Sequence, residues 1–476
     1  MKRLVTLVFT AALILGSQAT AKALEIKASG TWEIGIGWAD NTRFTDAKQG
    51  MHDDAFGAAQ RIRPQFDFIA DETLKAVLMF EIGTTWWGNN DDDTGGGLDA
   101  DGHAVKVKRA YLDWSPVGDL SLRIGVQGVA LPSATFGNPV LDADIAGIVG
   151  SYKFTDNVTL TAFWLRPFDS YVGTNEQTNG KNLNDEMDMF GFALPITGEG
   201  FSVTPWAMYA RAGNASGYWE YRVETTGDGD SDLLDRGHLK GSTNLWWAGA
   251  AVELDFLNPF VLKLDAMYGA AKSDDAPEFS GFLVSGLFEY QSEAAWGNPG
   301  ILAWYASGDD SDDYKDGDFG KYGRMPIVGA DNAGFAPVGY GFAGSMGCMQ
   351  DSLISGSGVG TWGAGLQLDG FSFVDKLSHT VRAAYIRGTN DEDMVKRGGA
   401  ARFGSPYNIM GDHIYLTKED FALEFDFVTT WEAHQNLNIY LETNYIKLDL
   451  DSGTWGGRDS DTTNAWKVQL LFEYSF

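Results

Sequence analysis

The strongest constraint in this chain is an alternation of apolar and polar residues with a period of two, present near one end and again at the other. From Ile26 the even positions read Ile26, Ala28, Gly30, Trp32, Ile34, Ile36 and Trp38, and between them lie Lys27, Ser29, Thr31, Glu33, Gly35 and Gly37. The last residues repeat it, with Trp466, Val468, Leu470, Phe472, Tyr474 and Phe476 interleaved with Lys467, Gln469, Leu471, Glu473 and Ser475. Successive side chains of a strand point to opposite faces, so each segment makes a strand with one apolar and one polar face. Aromatic residues at both ends of the apolar face suit a strand that crosses a bilayer, where rings settle at the two interfaces.

The same pattern recurs between the two ends, at roughly 60–71, 74–87, 104–115, 120–127, 145–154, 158–167, 187–196, 200–211, 244–256, 260–270, 281–291, 298–306, 359–369, 377–388, 420–427 and 436–448. After each even-numbered segment comes a short turn, such as Thr155-Asp156-Asn157 or Leu257-Asn258-Pro259. After most odd-numbered ones comes a longer polar loop, as at 40–59, 88–103, 168–186, 212–243, 307–358 and 389–417. Short turns on one side and long loops on the other are the rhythm of an antiparallel barrel in an outer membrane. An even strand count also lets the first strand pair with the last, so no edge is left unsatisfied in lipid. The expected fold is all-β: a transmembrane antiparallel β-barrel of 16 to 18 strands, with 18 as the best count. A secreted β-sandwich, β-helix or propeller would alternate too. Its apolar face would be buried, however, without need of flanking aromatics, and the chain shows no fixed repeat of 20 to 50 residues.

Residues 1–23 read as an export signal. Met1-Lys2-Arg3 is a basic start, Leu4 to Gly16 an apolar run, and Ala21-Lys22-Ala23 a cleavage box. Losing them deepens the formal charge from −30 to −33, because Lys2, Arg3 and Lys22 go with them and no acid does. The remainder, 24–476, is one domain. Its acidity argues against nucleic acid as a partner, since phosphate neutralisation needs a basic footprint. The 59 glycines suit many strands joined by turns, and 44% hydrophobic with 13% aromatic residues is incompatible with a disordered chain. One cysteine, Cys348, rules out an internal disulfide framework.

The signal, the strand and loop rhythm, and a closing strand Val468-Gln469-Leu470-Leu471-Phe472-Glu473-Tyr474-Ser475-Phe476 resemble the trimeric porins of the Gram-negative outer membrane. The acidic, Gly-rich loops are most similar to homotrimeric porins of sulfate-reducing bacteria. That resemblance implies a homotrimer in outer-membrane lipid, with the strand ending at Phe476 read by the barrel-insertion machinery. It also implies an inward-folded third loop, placed at Leu131-Pro132-Ser133-Ala134-Thr135-Phe136-Gly137-Asn138-Pro139 with Asp142 and Asp144 after it. The acid that usually precedes the Phe-Gly pair in the family is missing here, which leaves open which acid faces the pore.

If one phase meets lipid, the other lines the lumen and carries the chemistry. That phase includes Arg61, Arg63, Asp67, Lys75, Glu81, Arg109, Asp113, Arg123, Asp426, Glu442, Lys467 and Glu473, so the lumen is expected to be polar, of both signs and wet. By the resemblance, Arg61, Arg63, Arg109 and Arg123 form a pore-lining row facing Asp142 or Asp144 across a constriction. Read from the residues alone, the same arginines pair equally well with wall acids such as Asp67 and Asp113. Of the pairs Trp86-Trp87 and Trp246-Trp247, one ring each is expected in an interfacial belt.

Catalytic and metal signatures are thin. His52, His103, His238, His379, His413 and His434 are scattered, with no H-E-x-x-H pair and no G-x-S-x-G elbow. Asp228-Gly229-Asp230-Ser231-Asp232 begins like a calcium loop, but Leu233 and Leu239 occupy the positions that need Gly and Glu. Asp91 to Asp93 and Asp309 to Asp318 read as solvated outer loops, with weak divalent-cation binding as a minor alternative and no other cofactor implied. The function expected is a passive, water-filled outer-membrane channel for small hydrophilic solutes and ions, anions such as sulfate included. The alternatives are a substrate-selective channel, for sugars for instance, and a non-conducting structural or adhesin barrel. The loop 307–358 decides between them by capping, lining or decorating the pore.

Overall fold

The computed structural model describes residues 24–41, 55–89, 95–98, 104–169, 185–214, 216, 218, 241–273, 278–311, 321–329, 334–339, 357–398, 415–455 and 463–476. The export signal, Cys348, the acidic runs at 91–93 and 228–232, and His52, His103, His238 and His413 lie outside them.

Eighteen long strands close into one antiparallel barrel. They are β1 (Glu25–Asp40), β2 (Ala55–Asp71), β3 (Leu74–Trp87), β4 (Val105–Val117), β5 (Leu120–Ala130), β6 (Asp142–Thr155), β7 (Val158–Asp169), β8 (Glu186–Ala193, resuming at Ile196–Gly198) and β9 (Phe201–Ala212). The second half holds β10 (Thr243–Leu257), β11 (Phe260–Lys272), β12 (Glu278–Tyr290), β13 (Asn298–Ala306), β14 (Thr361–Val374), β15 (Leu377–Gly388), β16 (Phe421–His434), β17 (Leu437–Asp449) and β18 (Thr463–Ser475). Each of the eighteen alternating segments of the sequence coincides with one of these. β8 is interrupted at Pro195, a residue with no N–H to give the ladder.

Closure is made by β1 and β18, from Thr31 opposite Ser475 to Asp40 opposite Trp466. The terminal residue takes part: Phe476 N–H donates to the Gly30 carbonyl, and Gly30 N–H donates back. Gly30 is required there, because a Cβ would stand 2.6 Å from the Arg63 carbonyl and 2.9 Å from the Phe476 ring.

The outward phase is apolar. At the long-loop end it carries Trp38, Trp87, Tyr209, Trp246, Tyr268, Tyr305 and Trp466, and at the turn end Trp114, Phe154, Phe256, Phe288, Trp431 and Tyr474, all well exposed. Aliphatic residues such as Ile124, Ile148, Leu264 and Val284 lie between. This is an apolar belt between two aromatic girdles, as a lipid-facing surface requires. Trp246 and Trp247 split as expected: Trp246 is outward, while Trp247 is buried inside and donates its indole N–H to the Pro326 carbonyl at 2.7 Å.

The interior departs from a uniformly polar lumen. Inward positions of β7 to β13 carry Leu165, Met187, Met189, Trp206, Met208, Leu245, Trp247, Met267, Leu283, Leu302 and Trp304, all buried in one apolar cluster. They are covered by loop residues that enter the barrel, 131–141 and the described parts of a second loop, 325–329 and 334–338. Apolar inward side chains would be unfavourable facing water, and the two segments remove them from it.

Candidate functional site

The loop 131–141 leaves β5 and is held on β11 and β12. The Asp265 carboxylate accepts hydrogen bonds from the Ser133 hydroxyl at 2.7 Å, the Ala134 N–H at 2.8 Å, the Thr135 N–H at 3.0 Å and the Thr135 hydroxyl. Thr135 Oγ1 also pairs with Ser285 Oγ at 2.7 Å. Asp265 is almost fully buried and its two oxygens are used by the loop. A buried carboxylate with this many donors is stabilised by them and in turn orders the segment that supplies them. The loop also braces itself, with Asn138 Nδ2 donating to the Pro132 carbonyl and Asn138 Oδ1 accepting from Val140 N–H.

The second segment belongs to the loop 307–360. Its backbone bonds to the first: Val328 N–H to the Val140 carbonyl, Gly334 N–H to Asn138 and Ala336 N–H to Phe136. The approach is close, since a Cβ on Gly137, whose φ is 92°, would fall 1.9 Å from the Gly334 carbonyl oxygen. Phe335 stands edge-on to both Phe136 and Trp304. The far end is tied to the opposite wall by the Gly339 N–H, which donates to Asp426 on β16 at 2.8 Å. The described parts of this long loop therefore line the interior; they do not decorate the outside.

Asp309 needs a correction. Read as part of a solvated acidic run, it is buried, bound by Arg324 Nε at 2.8 Å and by the Tyr415 hydroxyl at 3.2 Å, with the Arg324 guanidinium over the Tyr415 ring. The run contains one acid that the loop needs as an internal counter-ion, which charge patterning alone does not distinguish from its neighbours. Among the described residues no cluster of His, Cys, Asp or Glu has the geometry to hold a metal ion.

The ionisable side chains gather on the wall formed by β14 to β18 and β1 to β5; those of β16 to β18 are buried, and the open part of this wall lies at β2 to β5. Arg61 on β2 reaches Glu33 on β1, with Nε at 2.9 Å and Nη2 at 2.8 Å. Arg63 binds Glu81 on β3 at 2.7 Å. Arg123 on β5 makes a two-pronged pair with Asp113 on β4 at 2.6 and 2.9 Å and covers the Tyr111 ring. Lys75 bridges Asp67 at 3.2 Å and Asp113 at 3.7 Å. A cavity of about 750 Å³ opens against Lys75, Asp113, Arg123 and Gln127 beneath Leu131 and Pro132. Across the closure, one register row reads Asn438, Glu473, Glu33, Arg61, and another Gln367, Arg382, Asp426, Asn444, Lys467. Asn444 Oδ1 and Gln469 Nε2 have no partner among the described residues, and buried polar atoms of that kind require water.

Of the six residues expected at a constriction, Arg61, Arg63 and Arg123 pair with acids on neighbouring strands. Only Arg109 meets one of the expected acids, Asp144, at 2.6 Å. Asp144 stands opposite Gly128 and in phase with the exposed Ile148, so it belongs to the wall at the outer end of β6. Arg109 reaches it where β4 and β5 have stopped pairing, beyond Ala110 and Val126, and its guanidinium lies over Gly128. Asp142, the first residue of β6, lies against Gly334 of the second inward segment.

Lys108, which the alternation did not single out, binds Asp144 at 2.8 Å and stands 3.7 Å from Glu81. The register between β3 and β4 slips between Met79 and Phe80, which turns Lys108 and Arg109 towards the same carboxylate. The signal was in the sequence: apolar residues are odd at Val105 and Val107 and even at Leu112 and Trp114.

No protein-family model matches this chain, and no curated protein matches it. Its fold is that of solved outer-membrane barrels. The outer membrane protein OpdK of Pseudomonas aeruginosa superposes with a TM-score of 0.52 at 12% identity, covering 95% of this chain and 98% of that one. A BenF-like porin from Pseudomonas fluorescens Pf-5 gives a TM-score of 0.52 at 10% identity, with 95% and 99% covered. OccK8 (OprE) of Pseudomonas aeruginosa gives 0.50 at 12%, with 95% and 98% covered.

Proposed function

We propose that the chain is an outer-membrane porin, a passive water-filled channel through which small hydrophilic solutes and ions diffuse. The observation that carries this reading is the closed ring of eighteen strands with an apolar outer surface and a charged inner strip over β14–β18 and β1–β5 that is left open at β2–β5. A closed barrel leaves no strand edge in lipid, and ion pairs along an open wall keep a passage hydrated. The inward segments 131–141, 325–329 and 334–339 cover β7 to β13 and reach Asp426 on β16, so the passage is eccentric and its narrowest part lies between those segments and the charged wall of β1 to β5. Arg61, Arg63 and Arg123 act there as members of ion pairs, while Arg109 and Lys108 hold Asp144 at the long-loop end of the wall, where Asp142 also lies. Nothing in this mechanism uses an energy source or a bond-making step.

The finer parts of the reading are a homotrimeric assembly, export by residues 1–23, and insertion through the strand ending at Phe476. A second reading, a channel selective for one class of solute, is favoured by one observation: the inward segments are seated by a buried carboxylate and an aromatic cluster, which fixes the aperture. Current through single molecules in a planar bilayer tests the porin reading, and block of that current by a series of neutral sugars separates the general from the selective channel. A protein that inserts and stays silent would refute both.

A further inference from the structure

At the long-loop end of β8 to β11 the outer surface of the barrel changes character within one step. The register row Phe190, Tyr209, Trp246, Ala270 belongs to the aromatic girdle. Two residues further out, about 7 Å along the strands, the next row reads Asp188, Arg211, Asn244, Lys272. All of these lie on the outward phase, so no solute in the lumen reaches them. The one acid is already neutralised: Arg166 donates to both Asp188 oxygens at 2.9 and 2.8 Å, and the Trp164 indole adds a third bond at 2.8 Å. Arg211 and Lys272 are exposed. The hydrogen bond of Arg211 goes to the neutral Ser242 hydroxyl, its charge acting on Asp188 only from across the ladder, and Lys272 stands opposite the neutral Asn244. Between them, the Tyr209 hydroxyl donates to Asn244 Oδ1 at 2.7 Å, which leaves the amide nitrogen as a donor.

We propose that Arg211, Asn244 and Lys272 form a binding row for the phosphate group of a lipid in the outer leaflet. The inference rests on the outer-membrane placement above. Three donors from three successive strands span about 10 Å, within reach of one phosphate or a close pair. Guanidinium and ammonium groups suit phosphate oxygens, the former in a forked geometry. The row lies one step beyond the girdle, at the depth of headgroups, where an aqueous anion has no advantage over a lipid whose chains already pack on Phe190, Tyr209 and Trp246. Two exposed cations on the outer wall of so acidic a chain are attractive to lipid phosphate and to little else in that layer.

The test is native mass spectrometry of the intact, detergent-solubilised protein offered phosphatidic acid or phosphatidylcholine. The wild type is expected to retain phosphatidic acid in preference to phosphatidylcholine, and the double variant Arg211→Gln with Lys272→Gln to lose about tenfold or more of that preference, at the usual contribution of surface cations near anionic lipid. A third variant, Lys153→Gln, removes a cation at the turn end and is expected to bind as the wild type does. Equal retention by wild type and double variant, or an equal loss in Lys153→Gln, would overturn the proposal. Displacement of phosphatidic acid by millimolar inorganic phosphate would show a soluble-anion site and overturn the choice of lipid. Conductance of the double variant is expected to be unchanged, so a silent wild type would count against the porin reading while the lipid comparison still stands.

Discussion

Replacing Asp265 by Ala is expected to release the segment 131–141 without opening the barrel. The side chain accepts four hydrogen bonds from Ser133, Ala134 and Thr135 and is almost inaccessible. A hydrogen bond to a charged acceptor contributes roughly 1.5 kcal/mol at the low end, so four amount to about 6 kcal/mol before solvent compensation. Water entering beside β11 restores about half of that to the freed donors, leaving about 3 kcal/mol, a factor of roughly 150 in the seated fraction of the loop. The barrel ladder between β11 and its neighbours is backbone-bonded and is untouched by the change. Single-channel recording should then show larger open current and slow current fluctuations absent from the wild type. Asp265→Asn keeps the volume and one acceptor oxygen but presents N–H to a backbone N–H, and is expected to give an intermediate result. If Asp265→Ala conducts with the same amplitude and noise as the wild type, the loop does not define the aperture and the reasoning fails.

Three other outcomes follow from the same geometry. Arg123→Gln removes one of the two cations beside Asp113, leaving Lys75 at 3.7 Å, and a change of one charge about 4 Å from a passing ion in water is equivalent to about 1 kcal/mol; reversal potentials in a salt gradient should move towards cations by a permeability ratio of about fivefold, whereas Arg211→Gln, outside the lumen, should leave them unchanged. Phe335→Ala removes a fully buried ring packed on Phe136 and Trp304 and should cost the seated loops about 3 kcal/mol, read as increased protease cleavage within 131–141 while heat-resistant barrel mobility on gels is retained. In the outer-loop cluster, burial raises the Asp420 carboxyl against the donors Thr417, the Asp451 N–H and Trp455, so its contribution is complete below the ordinary carboxylate value and is lost as pH rises through the raised one. Asp391 runs the other way: burial is outweighed by hydrogen bonds from the Asp393 N–H, Ser311 and Lys418, its carboxyl lies below the ordinary value, and its contribution disappears as pH falls through that lowered value. The protection factors of the 417–420 amides, relative to the intrinsic exchange rate at each pH, should therefore rise on acidification from neutral pH, with Asp420→Asn flattening the response; wild-type protection that does not change with pH would contradict this assignment.

The strands were legible because a lipid-facing sheet imposes a strict period of two, and the alternation around Trp32 or Phe472, with aromatics at its ends, suits a bilayer-crossing strand better than a soluble one. The division of the interior was not. Met187, Met189, Met208 and Met267 occupy the inward phase of strands whose outward phase is also apolar, as the pair Trp246-Trp247 shows, and such two-sided strands signal packing on both faces. What they pack against comes from far along the chain: Gly137 meets Gly334, a contact that neither local pattern nor spacing encodes. The arginines were found by phase, but their partners depended on register. Arg61 opposite Glu33 and Arg123 opposite Asp113 are direct cross-strand neighbours, which the sequence allowed without selecting. Lys108 was hidden by the register slip in β4 that moved it out of the polar phase.

The central claim, a hydrated passage along the charged strip of a closed barrel, is tested most directly by single-channel recording of the purified, unboiled protein in a planar bilayer under a salt gradient. The account predicts discrete ohmic openings, grouped in threes if the proposed trimer forms, with a reversal potential that shifts in Arg123→Gln. A protein that inserts yet carries no current, or whose selectivity ignores that substitution, would contradict it.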